Sequence, residues 1–261
     1  MQLCTFASSS SGNCSLVLYD RSCLLIDAGI SCRRILTALR GLSLDPDQIC
    51  GILVTHEHAD HICGLQTLCR KTGLPVFAPA GVLEGIEKAF PETAPYLRPF
   101  PVGEQQDLGV FSVRSFHTSH DARESVGYVV CAGGRSMALA TDLGCLSEDV
   151  IRSLSGVDAA ILEANHDPDM LRYGPYPVSL KNRIRSDRGH LSNLLCAALA
   201  SRLYREGTRT FVLAHLSREN NTPALAEDAV RRALSEVGAA VGSDVFLTVA
   251  PYSSPSLLIE V

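Results

Sequence analysis

The sequence predicts an α/β fold, with mixed β-sheets carrying helices on their outer faces, and three observations lead there. Short apolar, β-branched runs alternate with helical patterns from end to end. The early runs follow one another with little helix between them, whereas the later ones alternate with helices, which excludes a purely parallel barrel. No internal repeat, low-complexity tract or Pro/Gly linker long enough to divide the chain interrupts the pattern. Residues 1–261 are therefore expected to form a single domain.

Strands are expected at Ser15–Tyr19, Cys23–Ile26, Gly51–Thr55, Val76–Ala78, Gly109–Phe116, Ser125–Cys131, Ser136–Ala140, Ala159–Leu162, Thr210–Ala214 and Val245–Val249. Gly133-Gly134 between two of them reads as a hairpin turn. Helices are marked by their punctuation. Ser31 can cap a helix with Ile35, Leu36 and Leu39 on one face, stopped by Gly41. A second helix is expected over Ile62–Thr72. Ser192 can cap a third, bearing Leu195, Leu199 and Leu203 and stopped by Gly207. Thr222-Pro223 is an N-cap followed by proline at the first helical position, opening a fourth that runs to about Gly238. The Ser8–Ser11 run is too short for a linker, and Gly12-Asn13 after it reads as a tight turn.

Composition narrows the function classes. With 46% hydrophobic and 20% charged residues the chain can bury a sizeable core, which excludes a disordered tail or a coiled coil. No apolar run approaches the ~18 residues that span a bilayer. The N-terminal Met1–Phe6 stretch has neither the basic region nor the long apolar core of a signal peptide, so the expected location is cytoplasmic, away from membranes. Ten scattered cysteines without a C-x-x-C pair are expected as reduced thiols packed like small hydrophobes, not as a metal site. A formal charge of −5 means that any attraction for nucleic acid must come from a local basic surface.

The eight histidines carry the strongest signal. His56-Glu57-His58-Ala59-Asp60-His61 directly follows an apolar strand, a scaffold suited to presenting metal ligands on a loop. His-x-His puts two imidazoles on one side of an extended segment, so both can reach one ion. Asp60 and His61 come a turn later and suit a second ion. Each ion then needs ligands from distant segments, and His120, Asp142 and His215 stand at strand ends to supply them. A carboxylate between two ions can bridge them, and Asp142 is placed for that.

In these residues the chain resembles the metallo-β-lactamase-fold hydrolases. His56, His58, Asp60 and His61 match that superfamily's H-x-H-x-D-H motif. Asp27, in Leu25-Ile26-Asp27-Ala28-Gly29, matches its early strand-end aspartate, and His120, Asp142 and His215 match its later ligands. Within the superfamily the resemblance is to the YycJ/WalJ group of bacterial exonuclease-like proteins. It is carried by Ser8–Asn13, Ser119–Ala122, Leu162–Asp167, Gly189–Asn193 and Ala214–Asn221.

The resemblance implies a four-layer αββα sandwich with metals at the edge of the sheets. It implies that His56, His58 and His120 hold one ion, that Asp60, His61 and His215 hold the other, and that Asp142 lies between, with Asp27 steadying the ligand loop. Nitrogen and oxygen ligands without thiolate suit Zn, Mn or Fe. Two divalent ions roughly 3.5–4 Å apart lower the pKa of a water and clamp the attacking and leaving oxygens of a phosphodiester. Asp60 can orient or deprotonate that water. In tRNA 3′-processing hydrolases of the same fold, a glutamate positions a histidine beside the scissile phosphate. Glu163 and His190 look like its equivalents, which makes His190 the general acid and Glu163 its orienter. On the residues alone, His190 also reads as a polar residue opening the helix capped by Ser192. His117 and His166 are expected as satisfied structural histidines.

A substrate track is expected in residues 167–190. Between Asp169 and Gly189, Arg172, Lys181, Arg183, Arg185 and Arg188 face Asp187 alone, locally about +4, with Tyr173 and Tyr176 available to stack on bases. A solvated arm is the competing reading. Ser11 and Asn13, in a loop whose backbone amides can form an anion nest, and Arg218 and Asn220 after His215 are weaker phosphate-binding candidates. The expected activity is a 5′-to-3′ exonuclease, on DNA in preference to RNA. A glyoxalase-like thioesterase or small-phosphodiester hydrolase is the enzymatic alternative, although it needs neither the Glu163/His190 pair nor the basic segment. A non-catalytic metal-binding module is disfavoured by the full ligand set. Only 72 residues separate Asp142 from His215, too few for the inserted domain of β-CASP nucleases.

Overall fold

The computed structural model describes residues 1–261. Two seven-stranded sheets stack face to face. The first contains β1 (Gln2–Ala7), β2 (Cys14–Tyr19), β3 (Ser22–Ile26), β4 (Ile49–Leu53), β5 (Val76–Ala78) and β6 (Leu97–Pro99) in that order. The second contains β7 (Gln105–Leu108), β8 (Phe111–His117), β9 (Val126–Ala132), β10 (Arg135–Ala140), β11 (Ala159–Glu163), β12 (Thr210–Ala214) and β13 (Phe246–Val249). The last strand, β14 (Ile259–Glu260), returns to pair antiparallel with β1. Each sheet begins antiparallel and becomes parallel, at β3–β4 in the first and β10–β11 in the second.

Against the outer face of the first sheet lie α1 (Cys32–Gly41), α2 (Ala59–Ile62), α3 (Leu65–Thr72) and α4 (Ala80–Ala89). The second half of the chain adds α5 (Glu148–Leu154), α6 (Pro168–Tyr173), α7 (Val178–Ile184), α8 (Asn193–Arg205) and α9 (Pro223–Glu236). Of these, α5, α8 and α9 cover the outer face of the second sheet. Alternation along the strands builds three apolar layers. In β3, Leu24 and Ile26 point between the sheets while Cys23 and Leu25 pack under the helices. In β11, Ile161 points inward and Ala160 and Leu162 outward. Strands buried on both faces must be apolar at every position, which is why they read as continuous hydrophobic runs. The αββα sandwich is the architecture expected.

Local signals explain much of the placement. The Ser31, Ser192 and Thr222 side chains accept from the amides of Arg34, Leu195 and Leu225, capping α1, α8 and α9. Gly133 and Gly134 both take positive φ, the backbone of a tight hairpin between β9 and β10. The helix expected over 62–72 is two helices instead, α2 and α3. Gly64 breaks it because its amide donates to the Ala28 carbonyl at 2.8 Å and its missing Cβ makes room for the Ile30 carbonyl. All ten cysteines are unpaired, with Cys4, Cys14, Cys23, Cys32, Cys69 and Cys196 buried. No helix is long and apolar enough to cross a membrane.

Candidate metal centre

The site is assembled where strands end. Asp27, Asp142 and His215 follow β3, β10 and β12, and each takes a left-handed φ between 55 and 62°. Non-glycine residues seldom adopt that backbone, which costs about 1–2 kcal/mol each. Here it turns the chain sharply at the sheet edge. His56 and His58 leave the loop after β4, and Asp60 and His61 ride on α2.

Candidate ligand atoms of His56, His58 and His120 lie within 4.8 Å of one another, as do those of Asp60, His61 and His215. Asp142 sits between the two groups. Its Oδ2 is 3.3 Å from His61 Nε2, and its Oδ1 is 3.5 Å from His215 Nε2 and 3.6 Å from His120 Nε2. Buried polar atoms are normally satisfied, yet Asp142 Oδ2 and His215 Nε2 have no hydrogen-bond partner in the protein. A carboxylate oxygen and an imidazole nitrogen left unpaired and converging fit a divalent cation, and the nitrogen and oxygen donor set suits one without thiolates.

A surrounding layer of bonds orients these groups. Asp27 Oδ2 is 2.8 Å from His61 Nδ1, and Asp27 Oδ1 accepts from the Thr55 amide at 2.8 Å. The Thr55 hydroxyl also lies 3.1 Å from His56 Nδ1. His120 Nδ1 donates to the Gly189 carbonyl at 3.1 Å. Glu163, wholly buried, serves two histidines: Oε1 is 2.8 Å from His190 Nδ1 and 3.0 Å from His215 Nδ1. Its Oε2 accepts from the amides of Leu143 and Leu191. Holding Nδ1 in this way leaves Nε2 of His61, His120 and His215 facing the cluster.

Charge is distributed accordingly. Burial works against the imidazolium of His215, but Asp142, Asp60 and Glu163 outweigh it and hold its pKa at about 10. His61 is likewise buried, yet Asp27 and Asp142 raise it well above the usual range. Burial, joined by the neighbouring imidazoles His61, His120 and His58, drives His56 down, and burial also lowers His120. Burial opposes the charges of Asp60 and Glu163, but hydrogen bonds and charges of the adjacent histidines keep both carboxyls below their ordinary range.

Several expected roles are revised by position. Asn13 is buried and turned inward, its Nδ2 3.3 Å from Asp60 Oδ2 and 3.1 Å from His61 Nε2, while Ser11 is exposed. The expected anion nest is absent: the amides of Ser8, Ser9, Ser11, Gly12 and Asn13 are bonded to Pro251, Asn13, Ser9 and Asp60. Asn220 is wholly buried beneath Gly174, so it presents nothing to a substrate. Arg183 is paired with Asp121 at 2.6 Å, so the segment's charge is partly neutralised from outside it. Arg172, Arg185 and Arg218 are exposed, with Arg218 over the Tyr252 ring. His117 is exposed on the end of β8, not satisfied in the core. His166 is buried, but its Nδ1 lacks a partner, and burial lowers its pKa to about 4. The sequence reading missed Thr55, the second bond of Glu163, and Ser8, whose hydroxyl accepts from the His215 amide at 2.7 Å. For Thr55 the available signal was its place as the last residue before the motif.

A sandwich of this topology with seven histidine and aspartate groups at its edge defines a class. Residues 23–216 match the β-lactamase superfamily domain family. The chain belongs to this superfamily of metallo-β-lactamase-fold hydrolases and is an enzyme whose fold implies the use of divalent metal. More narrowly, it belongs with the YycJ/WalJ group. It is 39% identical to exodeoxyribonuclease YycJ of Bacillus anthracis, covering 90% of each chain. It is 35% identical to exodeoxyribonuclease WalJ of Streptococcus pneumoniae, over 91% of this chain and 90% of that one. The fold is shared with zinc-bound PqqB from Methylobacterium extorquens, with a TM-score of 0.72 and 20% identity over 98% of this chain and 99% of the other.

Proposed function

We propose that this single-domain chain is a cytoplasmic, two-metal phosphodiesterase acting on nucleic acid, a 5′-to-3′ DNA exonuclease. The observation that carries the reading is the Glu163–His190 pair. His190 Nδ1 lies 2.8 Å from a buried carboxylate and 3.7 Å from Asp142, and the ring is partly open to solvent. A thioesterase needs no such proton donor, whereas departure of an alkoxide from phosphorus does.

His56, His58 and His120 are assigned to one ion, Asp60, His61 and His215 to the other, and Asp142 to both, with Zn, Mn or Fe as the metals that suit them. When bound, the ions supply the positive charge that acidifies a water and stabilises charge on the phosphate. Asp60 would orient such a water or accept its proton. His190 delivers a proton to the departing oxygen, and Glu163 fixes its tautomer. Arg172 and Arg185, with Tyr173 and Tyr176, make residues 167–190 a substrate-contacting segment, with Arg218 and Ser11 as weaker phosphate contacts. The names of the YycJ and WalJ relatives support DNA as the polymer.

The test is degradation of end-labelled duplex DNA, single-stranded DNA and RNA by protein stripped of metal and reloaded with Mn²⁺ or Zn²⁺. Metal-dependent shortening from the 5′ end, absent in Asp60→Ala, is expected, with DNA preferred. Failure to cleave any polymer with two metals bound would redirect the search to thioesters and small phosphodiesters.

A further inference from the structure

α8 and α9 lie side by side on the outer face of the second sheet and run in the same direction, because the strands they connect, β11, β12 and β13, are parallel. Asn193 and Asn221 exchange hydrogen bonds of 2.9 and 2.8 Å at the two starting ends, which fixes their register. Between the helices stand Ala197, Ala198 and Ser201 of α8 and Ala229 and Ala233 of α9. Side chains this small leave the space unfilled, and a groove of about 660 Å³ results. Large apolar side chains flank its starting end, where Leu194 is 64% and Leu225 39% exposed, and Val237 lies at the far end. A floor of this kind is held against water only at a cost.

Charge is unevenly spread along the groove. Asp167 and Asp228 lie toward its starting end, Arg205 and Arg232 toward its far end, with Glu236 beyond them. Asp228 bonds Arg232 within α9, but an exposed pair one turn apart is worth little and leaves both groups able to serve another partner. Arg202 takes Glu206, which leaves Arg205 without an acidic partner. Asp167 caps α6 through Oδ1 alone. A two-fold axis across the helices makes such a face complementary to itself, because it lays α9 antiparallel on α9 of a second copy. Asp228 and Arg232 stand on either side of the middle of α9, so each meets its opposite in the other copy. Arg205 comes to Asp167, Leu225 comes to Val237, and the small residues let the helices approach closely. A helix of unrelated sequence would match the apolar floor but not this reciprocal order of charge.

We propose that α8 and α9 form the contact between two copies of this chain, paired antiparallel about a two-fold axis, with Asp228 and Arg232 as reciprocal ion pairs. Two adjacent helices about 20 Å long present roughly 400 Å² per copy, half of a standard interface, so the association is weak and in the micromolar range. None of the candidate metal ligands lies on this face, so self-association is measured independently of catalysis. The experiment is sedimentation equilibrium over about 1 to 200 µM on the metal-loaded wild type, Asp228→Arg and Arg232→Glu, each alone and the two variants mixed. Both substitutions fall on an exposed helix face, and unchanged metal content and Tm verify that the fold is intact.

The wild type is expected to shift from the mass of one chain toward that of two as concentration rises. Each variant alone sets like charges against each other, cations in Asp228→Arg and anions in Arg232→Glu, and should associate at least about 10-fold more weakly. Their equimolar mixture sets cations against anions and should associate at least as tightly as the wild type. A wild type that remains a single chain at the highest concentration overturns the proposal. So does either variant that associates like the wild type, or a mixture no tighter than its components.

Discussion

Glu163 bonds two histidines and two backbone amides of the candidate site at once. One of its oxygens is shared by His190 and His215, and the other holds the amides of Leu143 and Leu191, so a single carboxylate couples the proposed proton donor to a candidate metal ligand. Two substitutions separate these duties. His190→Ala should keep its metal and lose turnover by ~10²-fold. Glu163→Gln should lose turnover and also weaken metal affinity, by about 10- to 100-fold, as removing an orienting partner does. Metal content after gel filtration, measured beside kcat, distinguishes the two; a Glu163→Gln protein with undiminished metal affinity would dissociate Glu163 from His215.

The same residues set a pH dependence of metal binding. With His215 held at about 10 and His61 raised, both rings carry protons in the metal-free protein at neutral pH. A cation must displace those protons, so affinity falls as pH falls and rises as pH climbs toward about 10. Each displaced proton contributes a factor of about ten per pH unit. Calorimetric titration in buffers of different ionisation enthalpy should register proton release on binding. An affinity flat across the neutral range would contradict the charge distribution.

At the scale of elements, what was legible in the sequence was whatever a local rule determines. Strands buried on both faces, such as β3, β11 and β12, announce themselves as unbroken apolar runs, and α1, α8 and α9 carry side-chain caps. What was not legible depends on partners distant in sequence. The edge strands β6 and β7 are short or polar, and β14 is two residues long, existing as a strand only because β1 accepts it. α4 opens on Pro79 without a side-chain cap, so its start has no marker.

The break between α2 and α3 is of the same kind, since it depends on the approach of residues 28–30. That approach is tight enough to test. A Cβ on Gly29 would overlap the Asp60 carbonyl, backbone against backbone. Gly29→Ala should therefore cost about 1–3 kcal/mol in denaturant unfolding, with weakened metal binding because α2 carries Asp60 and His61. Gly41, at the end of α1 with open space around it, is the control, and Gly41→Ala should be neutral or slightly stabilising.

Across the whole molecule, the candidate ligands were legible because they are chemically distinctive residues at strand ends, and both sheets deliver their strand ends to one edge. Substrate contacts were less so, because charge counted along the chain ignores partners from elsewhere. Arg183 is answered by Asp121, and Asn220 lies under Gly174. What remains exposed in the segment, Arg172 and Arg185 above all, belongs to a protein that is −5 overall. Whole-body repulsion of a polyanion must then be overcome locally, and the salt response reveals where. If these arginines contact the DNA backbone, the double variant Arg172→Ala/Arg185→Ala should raise KM about 10-fold at constant kcat. Its slope of log KM against log salt should be shallower by about one per lost phosphate contact. A variant with an unchanged slope would make the segment a solvated face, and the grip on nucleic acid would have to come from the cleft itself.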